Sequence, residues 1–300
     1  MSDKPTVLVL GSTGQLGGLV ASELAGDDRI HLRVTSRRDD QLELLRERFS
    51  AEAVPLELDD PRTFPSALAG VDVVFLITGY TVDMLVQSKA IVDAAVVAGV
   101  QHIVHLGVFT RRPDAYDPHL AWHQMVEAYI KVSGIQWTFL HPNCFMQNWT
   151  GFYGMVRGGV VRSYSEGNRL GWIALEDVAE AAAVVLADPA PHVGKDYWFS
   201  TEAANIVEIA EIISDVTGRC FAADVQSSAQ FIEDMGVDRR MLDPYFLAVE
   251  QFYVQLNDGR LANFGDVVDD LPQLIGRPGT SIREWVTSHR DDLVALAGNA

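Results

Sequence analysis

The sequence predicts an α/β chain of the Rossmann type: a doubly wound parallel sheet followed by a smaller, mainly helical C-terminal lobe. Three observations carry that expectation. Short β-rich runs alternate with helical stretches over the first 150 residues, a glycine turn follows the first run, and the rhythm breaks beyond residue 150.

The runs TVLVLG (6–11), IHLRVTS (30–36), AVPLELD (53–59), DVVFLIT (72–78), HIVHLGV (102–108) and QWTFLHP (136–142) are short and rich in Val, Ile, Leu and Thr. They are bounded by Gly, Asp or Pro, and each reads as a strand. Helical stretches at 15–25, 39–50, 62–69, 83–98 and 119–133 separate them, so the strands are joined by right-handed crossovers into a parallel sheet covered on both faces. Beyond residue 150, RGGVVRSYSEGNRLGWIALEDVAEAAAVVLADP gives a Gly-rich turn region, a short strand and an Ala-rich helix; a strand with another helix follows, and then a helical stretch at 224–265 containing DPYFLAVEQFYVQL. No linker or repeat interrupts the chain. The expected division is therefore 1–150 for dinucleotide binding and 151–300 for a substrate-side lobe, partly interleaved with the first.

Composition narrows the function. A formal charge of −18 opposes broad contact with nucleic acid or an anionic membrane surface. No run approaches the ~18 apolar residues of a membrane span, and MSDKPTVLVLGSTG lacks the apolar core of a secretory signal. Two cysteines, Cys144 and Cys220, form no framework and no metal-ligand spacing, which fits free thiols in a reducing cytoplasm. A small-molecule substrate is the expected partner, with a homodimer allowed for.

The first βα turn, VLVLGSTGQLGG, spaces Gly11, Gly14 and Gly17 as G-x-x-G-x-x-G between a strand and a helix. Glycines permit the tight turn and the close approach of backbone to a pyrophosphate, and the helix N-terminus supplies amide hydrogens and positive dipole. Thr13, Gln15 and Leu16 complete this candidate phosphate loop. At the end of the second strand stand Ser36, Arg37 and Arg38, where a carboxylate would favour NAD(H). Guanidinium groups match a ribose 2′-phosphate, so NADP(H) is favoured. Asp59 is placed for the adenine amino group, and Thr78 and Gly79 for the pyrophosphate and ribose side.

GSTGQLGG, AGVQHIVHLG (98–107), FLHPNCFMQNW (139–149), IALEDVAEAAAVVL (173–186) and GRPGTSIREWVTSH (276–289) occur in one order along nearly the whole chain. In these segments the chain resembles the NmrA-like branch of atypical short-chain dehydrogenases/reductases, in its triphenylmethane reductase and quinone oxidoreductase 2 subgroup. The resemblance implies an NADP(H) site with a substrate cleft between domain and lobe. It does not decide activity, because the branch holds both reductases and non-catalytic regulators that sense NADP(H). It also implies that Pro142 and Asn143 pass the nicotinamide, with His141 where an arginine is commoner. Tyr80, Phe109, Trp122, Cys144, Phe145, Trp149, Phe152 and Tyr153 are the expected substrate-pocket residues, Met146 continuing their apolar wall.

Ordinary short-chain reductases carry Tyr-x-x-x-Lys on the helix after the fifth strand, and none of the eight tyrosines here has a lysine four residues later. The helix instead carries His119 and His123, one turn apart on one face, with Glu127 a further turn on. These histidines are the candidate catalytic residues, His119 as proton source and His123 also as a cofactor contact. A surface role is the alternative for both. His102 and His105 on the fifth strand are expected to be ordinary core residues, His105 being the nearer to its functional end. Cys144 has no base placed to activate it, and no metal site is expected. A site without tyrosine suits a conjugated acceptor that spreads or cancels the incoming charge better than a plain ketone. Three readings stay open: an NADPH-dependent reductase of a conjugated or aromatic small molecule, an NADP(H) sensor with a protein partner, and a redox-neutral isomerase or epimerase.

Overall fold

A computed structural model describes residues 4–79, 81–111, 116–151, 154–234, 236 and 243–297. The expected strands form as β1 (Thr6–Val9), β2 (His31–Ser36), β3 (Glu52–Pro55), β4 (Val73–Leu76), β5 (His102–Leu106) and β6 (Gln136–Pro142). Between them lie α1 (Gln15–Leu24), α2 (Leu42–Phe49), α3 (Phe64–Leu68), α4 (Met84–Ala98) and α5 (Pro118–Ser133). Several strands are shorter at their C-terminal ends than the apolar runs suggest. In β3 the cause is Pro55, which has no N–H to continue a ladder. In β1 the chain leaves the sheet after Val9 and turns at Gly11, whose φ is +65°.

The remaining elements are β7 (Cys144–Phe145), β8 (Val156–Arg157), β9 (Val160–Ser163), β10 (Leu170–Ile173), α6 (Leu175–Ala187), β11 (Lys195–Ser200), β12 (Glu202–Ala204), α7 (Ile206–Thr217), β13 (Ala222–Val225), α8 (Ser228–Asp234), α9 (Pro244–Asn257), β14 (Val268–Asp269), α10 (Leu271–Ile275), α11 (Ile282–Ser288) and α12 (Arg290–Leu296). The stretch expected as helix from 224 to 265 thus begins inside β13 and holds α8, α9 and a short 3-10 turn at Ala262–Gly265.

The main sheet runs β14-β11-β6-β5-β4-β1-β2-β3. All its pairings are parallel except that of the edge strand β14. The order reverses between β1 and β4, so the crevice for a ligand opens above their C-terminal ends. Val7, Val9, Phe75 and Val104 face α1 and α6 on one side. Leu8, Val74, Ile103 and Phe139 face α3, α4 and α5 on the other. Two strands of this sheet, β11 and β14, come from beyond residue 150, as does α6, which packs on α1. A separate core under the lobe is built on Trp149, Trp172 and Trp285.

The C-terminal segment is tied down by one buried carboxylate. Asp177 accepts from the Thr280 N–H (2.6 Å), the Thr280 hydroxyl (3.0 Å) and Arg277 Nη2 (2.8 Å). Its side chain is 1% exposed, so water cannot replace these bonds. Asp177→Ala should lower stability by about 1–3 kcal/mol, the cost of stranding a buried donor. An unchanged urea midpoint would show that the anchor contributes nothing.

Candidate active site

The glycine turn is shaped by steric closeness. A β-carbon on Gly17 would lie 2.3 Å from the Gly11 carbonyl oxygen, and one on Gly14 would lie 3.2 Å from it. Buried Ser12 adds a brace that the glycine pattern does not reveal: its hydroxyl donates to Val9 O (2.7 Å) and accepts from Thr35 N (3.1 Å), fixing the turn against β2. No side chain caps α1, and its first turn holds no acidic residue. The first amide hydrogens of that helix therefore face the crevice with the positive end of its dipole. The donor set fits a pyrophosphate.

Above the sheet lies a cavity of about 750 Å³, within the range of a cofactor-and-substrate cleft. Its walls include Gly11, Thr13, Gly14, Gln15, Leu16, Gly17, Ser36, Arg37, Asp59, Thr78, Gly79, His119, His123, Pro142, Asn143, Cys144 and Phe145. The expected cofactor residues therefore meet in one place, with one exception. Arg38 is off the wall, its guanidinium paired in bidentate fashion with exposed Asp40. Of the two arginines only Arg37 lines the cavity. Asp59 is held by Gln87, whose Nε2 donates to Asp59 Oδ1 at 2.8 Å. Nothing in the strand pattern marks that partner. Asn143 is a shaping residue: its Oδ1 accepts from Cys144 N (2.8 Å) and its Nδ2 donates to Phe264 O (3.0 Å).

The expected substrate pocket is only partly on the wall. Cys144 and Phe145 line it, whereas Phe109 and Trp149 are fully buried core residues. Met146 is likewise fully buried in that core, so it does not continue the wall. Trp149 packs on Trp172 and Trp285 with ring centroids 5.1 and 5.2 Å away. Trp122 stands outside the cavity, its ring edge-on to His119 at 6.4 Å. Tyr80, Phe152 and Tyr153 lie outside the described residues. The far wall comes instead from Met155, Leu170, Trp172, Tyr245, Val249, Phe252, Tyr253 and Phe264. Four of these, Tyr245, Val249, Phe252 and Tyr253, sit on α9, whose aromatic run was the one available signal.

Charge is distributed unevenly in this cavity. Among the described lining residues the charged ones are Arg37, Glu57, Asp59 and Asp83, all on the side of β2, β3 and β4. Among the described residues, the half beyond β5 has none.

Helix α5 lays His119, His123 and Glu127 across β5 and β6. Asp117 caps it, Oδ1 accepting from Leu120 N at 3.1 Å. The His119 and His123 rings are 5.1 Å apart, and His123 lies 5.6 Å from His105 on β5. Burial drives the His119 pKa down to about 4 and that of His105 to about 3. His123 is pushed well below the ordinary value, first by burial and then by His119 and the other nearby imidazoles. All three are neutral at pH 7, so His119 offers a hydrogen bond rather than a charged proton donor. Burial also raises Glu127 and takes Asp117 up to about 6. His141 is on the far side of this stripe, not on the cavity wall: Nε2 meets Asp196 Oδ1 at 3.0 Å and the ring stacks on Trp198. Burial pushes the Cys144 thiol up to about 12, which leaves no thiolate for nucleophilic attack. Among the described residues no His, Cys, Asp and Glu group could hold a metal.

The NmrA-like family profile matches residues 3–259. The chain is 28% identical over 289 residues to an NAD(P)H azoreductase of Xenophilus azovorans, covering 94% of this chain and 97% of the relative. It is 30% identical to a (4-alkanoyl-5-oxo-2,5-dihydrofuran-3-yl)methyl phosphate reductase of Streptomyces griseus subsp. griseus, covering 95% and 98%. The triphenylmethane reductase of Citrobacter sp. superposes with a TM-score of 0.79 at 25% identity, covering 96% of this chain and 99% of that one. That enzyme has also been crystallised with NADP(H).

Two outcomes follow from the α5 geometry. A β-carbon at Gly107 would lie 2.7 Å from Glu127 Oε1 and 3.0 Å from His141 Nδ1. Gly107→Ala should therefore cost about 1–3 kcal/mol in unfolding free energy, as overpacking does. Secondly, His102, at about 4, His105 and His119 bind protons more readily when unfolded, near the ordinary 6.5. Their contribution is whole above pH 6.5 and is lost as pH falls toward 4. Asp117, raised to about 6, works in the opposite sense and offsets part of it. The melting temperature should fall between pH 7 and pH 5, and less steeply in His119→Phe; parallel curves for the two proteins would contradict this.

Proposed function

The chain belongs to the NmrA-like family, and we propose that it is an NADPH-dependent reductase of conjugated or aromatic small molecules of the quinone or dye class. One observation carries the reading. A single cleft joins a glycine turn and Arg37 at one end to an aromatic half at the other, whose described lining carries no charge and contains two neutral imidazoles.

When bound, NADPH supplies the hydride. The α1 N-terminus holds the pyrophosphate, and Arg37 takes the 2′-phosphate that distinguishes NADPH from NADH. Phe145, Trp172 and the α9 aromatics exclude water and stack on a flat acceptor. His119 or His123 donates an N–H to a heteroatom of the acceptor. No charged imidazole is at hand to quench a localised alkoxide at pH 7, which disfavours a plain ketone and favours an acceptor that delocalises or cancels the new charge. The same neutrality disfavours His119 as the proton carrier of an epimerase. The Xenophilus azovorans relative is by name an azoreductase and the Citrobacter sp. enzyme a reductase of triphenylmethane dyes, which supports a conjugated substrate class here. The Streptomyces griseus relative acts by name on a phosphate ester. In this chain the described residues of the far half offer no cation to such a group. We place the activity in the cytoplasm, in keeping with the unpaired Cys144 and Cys220. Neither a homodimer nor a protein partner is needed to complete the described walls.

NADPH oxidation with a panel of quinones, azo and triarylmethane dyes and enones tests the reading. Turnover with one of these classes is expected, and tight NADPH binding with no turnover on any would overturn it. Arg37→Ala should lower the ratio of kcat/KM for NADPH over NADH by about 10- to 100-fold, the worth of a charge-assisted bond. Arg38→Ala should leave that ratio within about twofold, since its guanidinium already pairs with Asp40.

A further inference from the structure

Two buried imidazole nitrogens in neighbouring rings have no hydrogen-bond partner: Nε2 of His105 and Nδ1 of His123. Such groups are rare in folded proteins and costly when stranded. The tautomer of His105 follows from its other nitrogen, Nδ1, which lies 3.3 Å from Leu76 O. A carbonyl only accepts, so the proton is on Nδ1 and Nε2 carries a lone pair. The strand places His105 fully buried, with the Phe139 ring edge-on at 6.0 Å. The ring next to it with an unpartnered nitrogen is His123, its centroid 5.6 Å away and its plane tilted by 38°. The two rings are close enough for an N–H···N bond between them, and one from His123 Nδ1–H to the His105 lone pair would satisfy both atoms at once.

We propose that His105 is a positioning residue: it holds the proton of His123 on Nδ1, so that His123 presents the bare Nε2 lone pair to the cavity. The chain Leu76 O, His105, His123 then ends in an acceptor. The ligand group opposite His123 is thereby required to bring an N–H or O–H donor, and the hydrogen-bond donor to the acceptor molecule becomes His119. The low proton affinities of both rings agree with a neutral pair whose tautomers are set by neighbours. The consequence for ligands rests on the reductase reading, but the tautomer assignment does not.

The test is long-range ¹H–¹⁵N correlation of histidine-labelled full-length protein at pH 7, with ring assignments from His123→Gln and His105→Gln. His123 is expected as the Nδ1–H tautomer, shifting to Nε2–H in His105→Phe, while His105→Gln, whose amide oxygen also accepts, retains Nδ1–H. A His123 that is Nε2–H in the wild-type protein overturns the proposal. So does a tautomer that ignores His105→Phe but changes in Glu127→Gln, which would assign the control to the next turn of α5. Should His105→Phe not fold, the wild-type protein decides through the ¹⁵N–¹⁵N coupling across the Nδ1–H···Nε2 bond. Its presence supports the pair and its absence overturns it. None of these readouts needs turnover, so an inactive protein with the expected tautomer would refute the reductase reading alone.

Discussion

The approach of α1 to the first turn, close enough that a β-carbon on Gly17 would sit 2.3 Å from the Gly11 oxygen, sets the frame in which every other part of the site is arranged. It aims the uncapped helix end into the crevice above β1 and β4. It also fixes the line of α1, on which α6 packs, and the first residue of α6, Leu175, is already on the cavity wall. Ser12 and Thr35 extend the constraint sideways to β2, whose end carries Ser36 and Arg37. A shift of α1 by a fraction of an ångström would thus be transmitted to the glycine turn, the end of β2 and the start of α6 together.

On the other side of the switch point the controlling physics is desolvation. Helix α5 carries two imidazoles that burial keeps neutral and a carboxyl whose pKa burial raises. The cleft is consequently polarised by what it excludes. Among the described lining residues the ionised side chains gather on the side of β2, β3 and β4, and neutral rings line the other half, where a low dielectric strengthens each remaining hydrogen bond. Glu127 and His141 lie just beneath, close enough that residue 107 can only be glycine without displacing them.

Much of this was legible in the chain. Strand–helix alternation and the glycine spacing located the sheet and the phosphate loop, because both are local patterns of period and turn chemistry. The His119–His123 spacing correctly put both rings on one helix face, and the cofactor residues converge as expected apart from Arg38, whose fate depended on Asp40 two residues away. What escaped was long-range. An aromatic residue just past a strand looks the same in sequence whether it lines a cavity or fills a core; Trp149 took the core because Trp172 and Trp285 arrive from distant segments, and Phe109 because Trp198 and Phe264 do. The α9 wall and the Gln87–Asp59 bond depend on contacts between elements that no periodicity encodes, as does the meeting of His105 with His123.

Helix α9 rests on two supports: a small cluster of Phe231, Tyr245 and Val249, and the lobe core, which it joins through Phe252, Tyr253 and Leu256, while Tyr245 meets the His119 ring edge-on. A change on α9 is therefore felt at His119 and in the lobe core as well as on the cavity wall. Evolution, or an engineer, can retune what this cleft accepts by exchanging the face of a single helix.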